Sequence, residues 1–252
     1  MNLLKYPYFQ FRGKKSIELG MIIRDGISFN LPESSLEFIN VDGRNSDIIY
    51  DRGKYKDIEK IIPMSIYSNQ EKTMAMQLRE IAAWLYLDKV YSPLIISEYD
   101  EYYYQALGYS EISAKDKKRN WLDIDFIFKC QPFVFRHDGN EEREIKNNGV
   151  IINPEAFESL PVITFNKTTS TEDSHIYING QQFQIAKEAG EGMITLDCEN
   201  GIAYKNGVNV TKYCLLNSDG YQPLVLNPGR NQISYTYIDQ LKIKPKWRTL
   251  AV

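Results

Sequence analysis

Residues 69–87 (NQEKTMAMQLREIAAWLYL) constrain the fold more than any other stretch, because they alone show long helical periodicity in a chain that otherwise reads as strands. Met74, Leu78, Ile81, Ala82 and Leu85 recur at 3.6-residue spacing and predict one apolar stripe, with Glu71, Gln77, Arg79 and Glu80 mainly on the other side. Ser68 and Asn69 offer N-cap side chains, Glu71 suits the positive end of the helix dipole, and Ser92-Pro93 lies where a helix can no longer continue. A lone helix flanked by strands must bury its stripe against a sheet. The spacing therefore predicts a β-rich N-terminal domain braced by one helix.

The flanking segments alternate as strands do. Phe9 and Phe11 share one face, opposite Tyr8 and Gln10. Residues 17–24 predict a strand closed by Asp25-Gly26, and residues 34–41 predict another closed by Asp42-Gly43-Arg44-Asn45. The charged residues 51–60 (DRGKYKDIEK) read equally well as an exposed hairpin arm or a solvated loop. Beyond the helix, residues 93–99 and 102–106 predict a hairpin, and residues 114–120 a polar turn. Residues 121–129 alternate most cleanly, with Leu122, Ile124, Phe126 and Phe128 on one face and Asp123, Asp125 and Lys129 on the other.

The texture changes at residues 137–148 (HDGNEEREIKNN), whose polarity and charge suit a linker. Asn-Gly then becomes the dominant punctuation, at residues 148–149, 179–180, 200–201 and 206–207, and it occurs nowhere earlier. Both residue types accept the left-handed angles of a type I′ hairpin turn. No helix-period segment follows, so the second half reads as an all-β sandwich.

Composition narrows function by exclusion. A net charge of −3 gives no support for nucleic-acid binding through a basic surface. The 18 tyrosines suit half-buried strand faces and protein contacts. Cys130, Cys198 and Cys214 are odd in number and widely spaced, which argues against a disulfide framework or a metal pair. With no signal-like apolar segment, the chain is expected to fold in the cytoplasm. Asp123 and Asp125 stand as a glycosidase or metal carboxylate pair would, but the polar outer face of a sheet requires the same pattern. His137 and His175 are the only histidines, and neither accompanies a nucleophile motif. The polar residues 166–174 (NKTTSTEDS) form either a binding loop or a mobile tip. No catalytic, cofactor or metal site is expected, and the chain does not read as an enzyme.

The chain's end carries a family likeness. Residues 224–250 (LVLNPGRNQISYTYIDQLKIKPKWRTL) resemble the closing block of siphophage distal tail proteins. Pro228, Gly229 and Asn231 match its turn, and Pro245, Trp247, Arg248 and Leu250 match its ending. Phe9 and Phe11, Gly43 and Arg44, a helix ending in Trp84-Leu85, and a Phe-rich strand running into Cys130, Pro132 and Phe133 follow in the family's order. ITLDCE at residues 194–199, followed by Tyr204, resembles a further family hairpin, with Leu196 and Cys198 as departures.

The resemblance implies a belt domain over residues 1–138, rejoined by residues 246–252, and a galectin-like β-sandwich over residues 139–245. It implies that the belt closes a hexameric ring, singly or stacked, in the virion tail tip after assembly in the host bacterial cytoplasm. Gly43, Arg44, Tyr55, Trp84, Trp121, Pro245, Trp247 and Arg248 are the expected interface or structural residues. Expected partners are copies of the chain, the tail tube protein, the tail-associated tip protein and receptor-binding or baseplate proteins. DNA would only pass through the lumen, and no membrane is involved. The rival expectation is a carbohydrate-binding module on the sandwich, where Tyr177, Tyr204, Tyr213 and Tyr221 are the aromatic candidates and no Trp platform precedes the closing block.

Overall fold

The computed structural model describes residues 5–68, 72–109, 114–117, 121–216 and 223–252. The architecture is mainly β, with one α-helix among the described residues. Two compact units are present, Met1–Val134 with Leu250–Val252, and Phe135–Thr249.

The first unit contains β1 (Phe9–Phe11), β2 (Lys14–Lys15), β3 (Met21–Ile23), β4 (Ser34–Ile39), β5 (Ile48–Tyr55), β6 (Ile58–Tyr67) and α1 (Met74–Tyr86). It continues with β7 (Ser92–Ile96), β8 (Tyr102–Gly108), β9 (Ala114–Lys117) and β10 (Trp121–Arg136), whose last two residues belong to the second unit. One sheet runs in the order β2-β1-β7-β8-β10-β6-β3, and β9 also pairs with β10. The alternation along β10 carries the core. Leu122, Ile124, Phe126, Phe128 and Cys130 are buried, and they stand opposite Ile66, Met64, Ile62, Lys60 and Ile58 of β6. Phe9 and Phe11 are fully buried and meet Phe128 edge to face at 5.5 and 5.2 Å.

The helix is shorter than its sequence signal. Thr73 is the N-cap, accepting from the Met76 amide at 3.3 Å, so Ser68 does not cap it; Asn69 and Glu71 lie outside the described residues. Ile81 and Leu85 are buried, while Met74, Leu78 and Trp84 pack on the same core partly buried. Gln77, expected on the polar face, is buried instead. Its Nε2 donates to the carbonyls of Leu19 at 2.6 Å and Tyr67 at 2.9 Å, which satisfies two backbone acceptors that burial would otherwise penalise.

Residues 17–24 are not one strand. Ser16–Leu19 form a 3-10 turn, Gly20 takes φ +73, and only Met21–Ile23 pair as β3. A Cβ on Gly20 would lie 2.7 Å from Gln77 Nε2 and 2.9 Å from the Tyr67 oxygen. The chain turns here because the helix's amide side chain approaches the backbone. Residues 114–117, expected in a turn, form β9; residues 118–120 lie outside the described residues.

The second unit contains β11 (Arg143–Glu144), β12 (Gly149–Asn153), β13 (Val162–Lys167), β14 (Ser174–Ile178), β15 (Gln181–Ile185), β16 (Gly192–Asp197) and β17 (Ile202–Lys205). It ends with β18 (Val208–Asn209), β19 (Cys214–Leu216), β20 (Gly229–Thr236) and β21 (Ile238–Lys244). These form a six-stranded sheet, β11-β21-β13-β16-β17-β18, and a five-stranded one, β12-β20-β14-β15-β19. Their inner faces share one core in which Phe165 of the first meets Phe183 of the second at 6.1 Å. Asn179-Gly180 and Asn206-Gly207 make two-residue hairpin turns with all four φ angles positive, as the Asn-Gly signal predicts. Residues 137–148 are no free linker. His137–Asn140 form a 3-10 turn, Arg143–Glu144 join the sheet, and a Cβ on Gly139 would meet the Trp247 backbone nitrogen at 2.6 Å.

Candidate assembly surfaces

The arm of the first unit is built from β4 and β5, which pair only with each other among the described residues. It occupies residues 34–55, earlier than the charged stretch 51–60 suggested, and Ile58–Lys60 already belong to β6. Phe38 stands opposite Ile49 and Leu36 opposite Asp51; Ile39 stands opposite Ile48 and Glu37 opposite Tyr50. Because successive residues point to opposite faces, apolar pairs occupy both faces of the arm. Phe38 and Ile49 are 62% exposed and Tyr50 is 56% exposed. Gly43, at φ +81, and Arg44 form the exposed tip, where the Arg44 amide donates to Val41. Tyr55 anchors the base by an edge-to-face contact with Phe133 at 5.8 Å.

A second apolar surface lies at the C-terminal end of α1. Leu87 is 79% exposed and Val90 is 61% exposed. Arg12 fastens this end, donating to the carbonyls of Trp84 at 3.3 Å, Asp88 at 2.7 Å and Val90 at 3.4 Å. A guanidinium suits the negative pole of a helix dipole, where carbonyls lack intrahelical donors. Lys14 and Lys15 of the adjoining β2 and exposed Lys89 add positive charge. Trp84 is a scaffold residue here, stacked on Phe9 at 5.5 Å with its Nε1 donating to the Phe11 carbonyl at 3.0 Å.

Lys60 is fully buried in the first unit. Its Nζ donates to the Val252 backbone oxygen at 2.7 Å and lies over the rings of Phe29 and Tyr104, at 4.6 and 5.3 Å. Tyr104 Oη donates to the same oxygen at 2.6 Å, and the Ala251 amide donates to Pro132 at 2.9 Å. Residues 250–252 are thus strapped across the sheet. Burial pushes the Lys60 ammonium down to about 8 and the neighbouring Cys130 thiol up to about 12.

The second unit has its own buried lysine, Lys167, whose Nζ donates to the carbonyls of Thr169 at 2.6 Å and Glu172 at 2.7 Å. The polar residues 166–174 are therefore wound around an ammonium. On the outer face of the five-stranded sheet, His175 and Tyr177 stack at 6.0 Å and 14°. A shallow cleft of about 410 Å³ begins beside His175 and is lined by Asp173, Glu188 and Tyr237 among others.

The remaining expected residues divide between the units. Trp121 contacts Tyr67 edge to face at 6.1 Å in the first. Pro245 and Trp247 are buried in the second, and Trp247 belongs to that unit's core, where the resemblance placed residues 246–252 against the first half. Arg248 is held by Glu158, whose carbonyl accepts from Nε at 2.7 Å. Asp123 and Asp125 are bound by Arg24, at 3.8 and 3.3 Å, and Ser65 donates to Asp123 at 2.5 Å. Among the described residues, no group of three or more His, Cys, Asp or Glu could hold a metal ion, and no helix is long and apolar enough to cross a membrane. Lys60 and Lys167 escape a reading by residue type, yet strand parity gives them away. Lys60 alternates with Ile58 and Ile62, and Lys167 with Ile163 and Phe165, all on inner faces.

No family model matches the chain, and no curated protein matches it. Solved structures do. The crystal structure of SPP1 Dit (gp 19.1), titled a paradigm of hub adsorption apparatus in phages infecting Gram-positive bacteria, superposes with a TM-score of 0.76. The match spans 95% of this chain and 98% of that one at 12% identity. The chain has the Dit fold. Chains of the phage p2 baseplate in its activated conformation, with Sr and with Ca, share it at TM-scores of 0.55 and 0.54. Their identities are 9% and 8%, and the matches cover 97% and 94% of this chain and 98% and 96% of those.

Proposed function

We propose that the chain is a structural subunit of the distal tail hub of a long non-contractile-tailed phage, a ring joining the tail tube to the tip, baseplate and host-adsorption proteins. The observation that carries this reading is the match to a phage hub protein over 95% of this chain and 98% of that one. The surfaces fit the role. A closed ring requires two different, complementary patches on each subunit, and the first unit exposes an apolar arm and an apolar helix end. The first unit is the ring-forming belt in this reading, and the second a docking and spacing element. Light scattering of the purified chain tests it. A mass near six 29.3 kDa chains, about 176 kDa, or twice that for stacked rings, is expected; a monomer at every concentration contradicts it.

A carbohydrate-binding role for the second unit is the alternative reading, favoured by the His175–Tyr177 stack. Gln182 and Gln184 stand opposite those two residues on the neighbouring strand, and the Gln184 Nε2 donates to Asp173 at 2.7 Å.

A further inference from the structure

We propose that β12 in the second unit is a docking edge for the β12 of a second copy, paired antiparallel about Ile151, and that this two-fold contact joins one ring to another. It rests on the ring reading above and names the surface on which two rings stack.

The edge is unguarded by its chemistry. β12 (Gly149–Asn153, GVIIN) borders the five-stranded sheet and pairs only with β20 among the described residues. The other borders of the second unit's sheets are shorter: β11 and β18 have two residues each, and β19 has three. Sheet edges are ordinarily protected by charge, proline or a bulge. β12 contains no charged residue and no proline, and its register with β20 runs unbroken from Gly149 to Asn153. Ile151 is buried on the inner face, whereas Val150 is 39% exposed and Ile152 64% exposed on the outer one.

Hydrogen-bond parity shows where the backbone of β12 points. The Asn147 side chain, just before β12, accepts from the Tyr235 amide at 2.9 Å and donates to the Tyr235 carbonyl at 3.0 Å. Tyr235, and with it Ile233 and Asn231, therefore turns its backbone groups toward β12. Gln232 turns the other way, toward β14. Its amide donates to Asn179 Oδ1 at 2.8 Å and its carbonyl accepts from the Asn179 amide at 3.1 Å. Val150 stands opposite Gln232 and Ile152 opposite Arg230, so both direct their N–H and C=O groups at the open edge.

Self-complementarity selects the occupant. Pairing two copies about Ile151 sets Val150 of each against Ile152 of the other. Their edge amides and carbonyls then satisfy one another, and their exposed side chains cover one another on the outer face. Charge does not oppose this register. Arg230 lies one strand in from Ile152, so the two guanidiniums stand roughly 14 Å apart across the seam, beyond the screening length at physiological salt. Exposed Lys146 of the two copies falls at opposite ends of the paired strands. Area then sets the role. Two such short edges bury far less than the roughly 1,000 Å² that a stable interface needs, so one seam does not hold two free chains. The seam is isologous, whereas the contacts that close a ring are heterologous. It therefore links ring to ring, where every subunit contributes a seam at once.

Light scattering of full-length variants tests this. Wild type is expected at the mass of twelve 29.3 kDa chains, about 352 kDa. Ile152→Lys and Val150→Glu each put a charge against an apolar side chain of the other copy, at positions already exposed in one chain. Each is expected to halve the mass to about 176 kDa, with the ring retained. Carried together in one chain, the two substitutions set opposite charges face to face in this register, and the doubled mass is expected to return. Three results would overturn the docking while leaving the ring reading standing: a single-ring mass for wild type at every concentration, single variants that keep the doubled mass, or a double variant that stays at the single-ring mass. A monomeric wild type contradicts both.

Discussion

Lys60 offers a stability change whose sign and size follow from the structure. Its ammonium is buried beside Phe29 and Tyr104, with the Val252 oxygen as its hydrogen-bonded acceptor, and desolvation lowers it from 10.5 to about 8. Below pH 8 both the folded and unfolded chains carry this proton, so the folded state bears the full cost of burying the charge. Between pH 8 and 10.5 the unfolded chain holds more protons than the folded one, and stability rises with pH. The limiting gain is roughly 3 kcal/mol at 1.36 kcal/mol per pH unit, of which about 1.3 kcal/mol falls between pH 7 and pH 9. Cys130, pushed up to about 12 from its ordinary 9.0, keeps its proton in the folded chain while the unfolded thiol begins to ionise, which lowers stability by about 0.4 kcal/mol at pH 9 in wild type and variant alike. The assay is urea unfolding of wild type and Lys60→Met at pH 7, 8 and 9, followed by circular dichroism. Subtracting the variant removes every other titrating group, and the difference should favour wild type progressively as pH rises. A difference constant to within about 0.3 kcal/mol, or one of opposite slope, refutes the argument.

Gln77→Leu should cost about 2–5 kcal/mol in the first unit's unfolding transition, since the carbonyls of Leu19 and Tyr67 lose their shared donor; an unchanged midpoint would show they have other partners. On the same helix, denaturation of Leu85→Ala should show a loss of roughly 2–5 kcal/mol. Partly buried Leu78→Ala should lose less, and Glu80→Ala, in a surface pair with Lys72, no more than about 0.5 kcal/mol. Titration of glycans onto the full chain should find binding weaker than about 100 μM, roughly −5.5 kcal/mol, because the Gln184 amide beside the ring stack is already committed to Asp173 at 2.7 Å. Tighter saturable binding that disappears in Tyr177→Ala would favour the carbohydrate-binding reading.

Period and turn chemistry made much of the fold legible. The alternation through β10, the Phe9–Phe11 pair, the helical stripe and the Asn-Gly hairpins all report local geometry, and local geometry survives in the folded chain. Tertiary demands decided the rest. Gln77 reads as a surface residue until Leu19 and Tyr67 present carbonyls to it, and the turn at Gly20 exists because that amide needs the space. Residues 137–148 read as a linker by composition, but Gly139 packs against Trp247, a contact more than a hundred residues away in sequence. The exposed apolar surfaces were the least legible. Leu36, Phe38, Ile49 and Tyr50 are apolar residues in alternating strands, and only the tertiary structure shows that both faces of that strand pair stay exposed among the described residues.

In the proposed function the first unit closes a ring of identical subunits through two unlike surfaces. Electron microscopy of the purified full-length chain tests it most directly. Class averages should show a closed ring of six with a central lumen, its inner wall formed by the first unit; closed dimers, open filaments or a ring built by the second unit would contradict it.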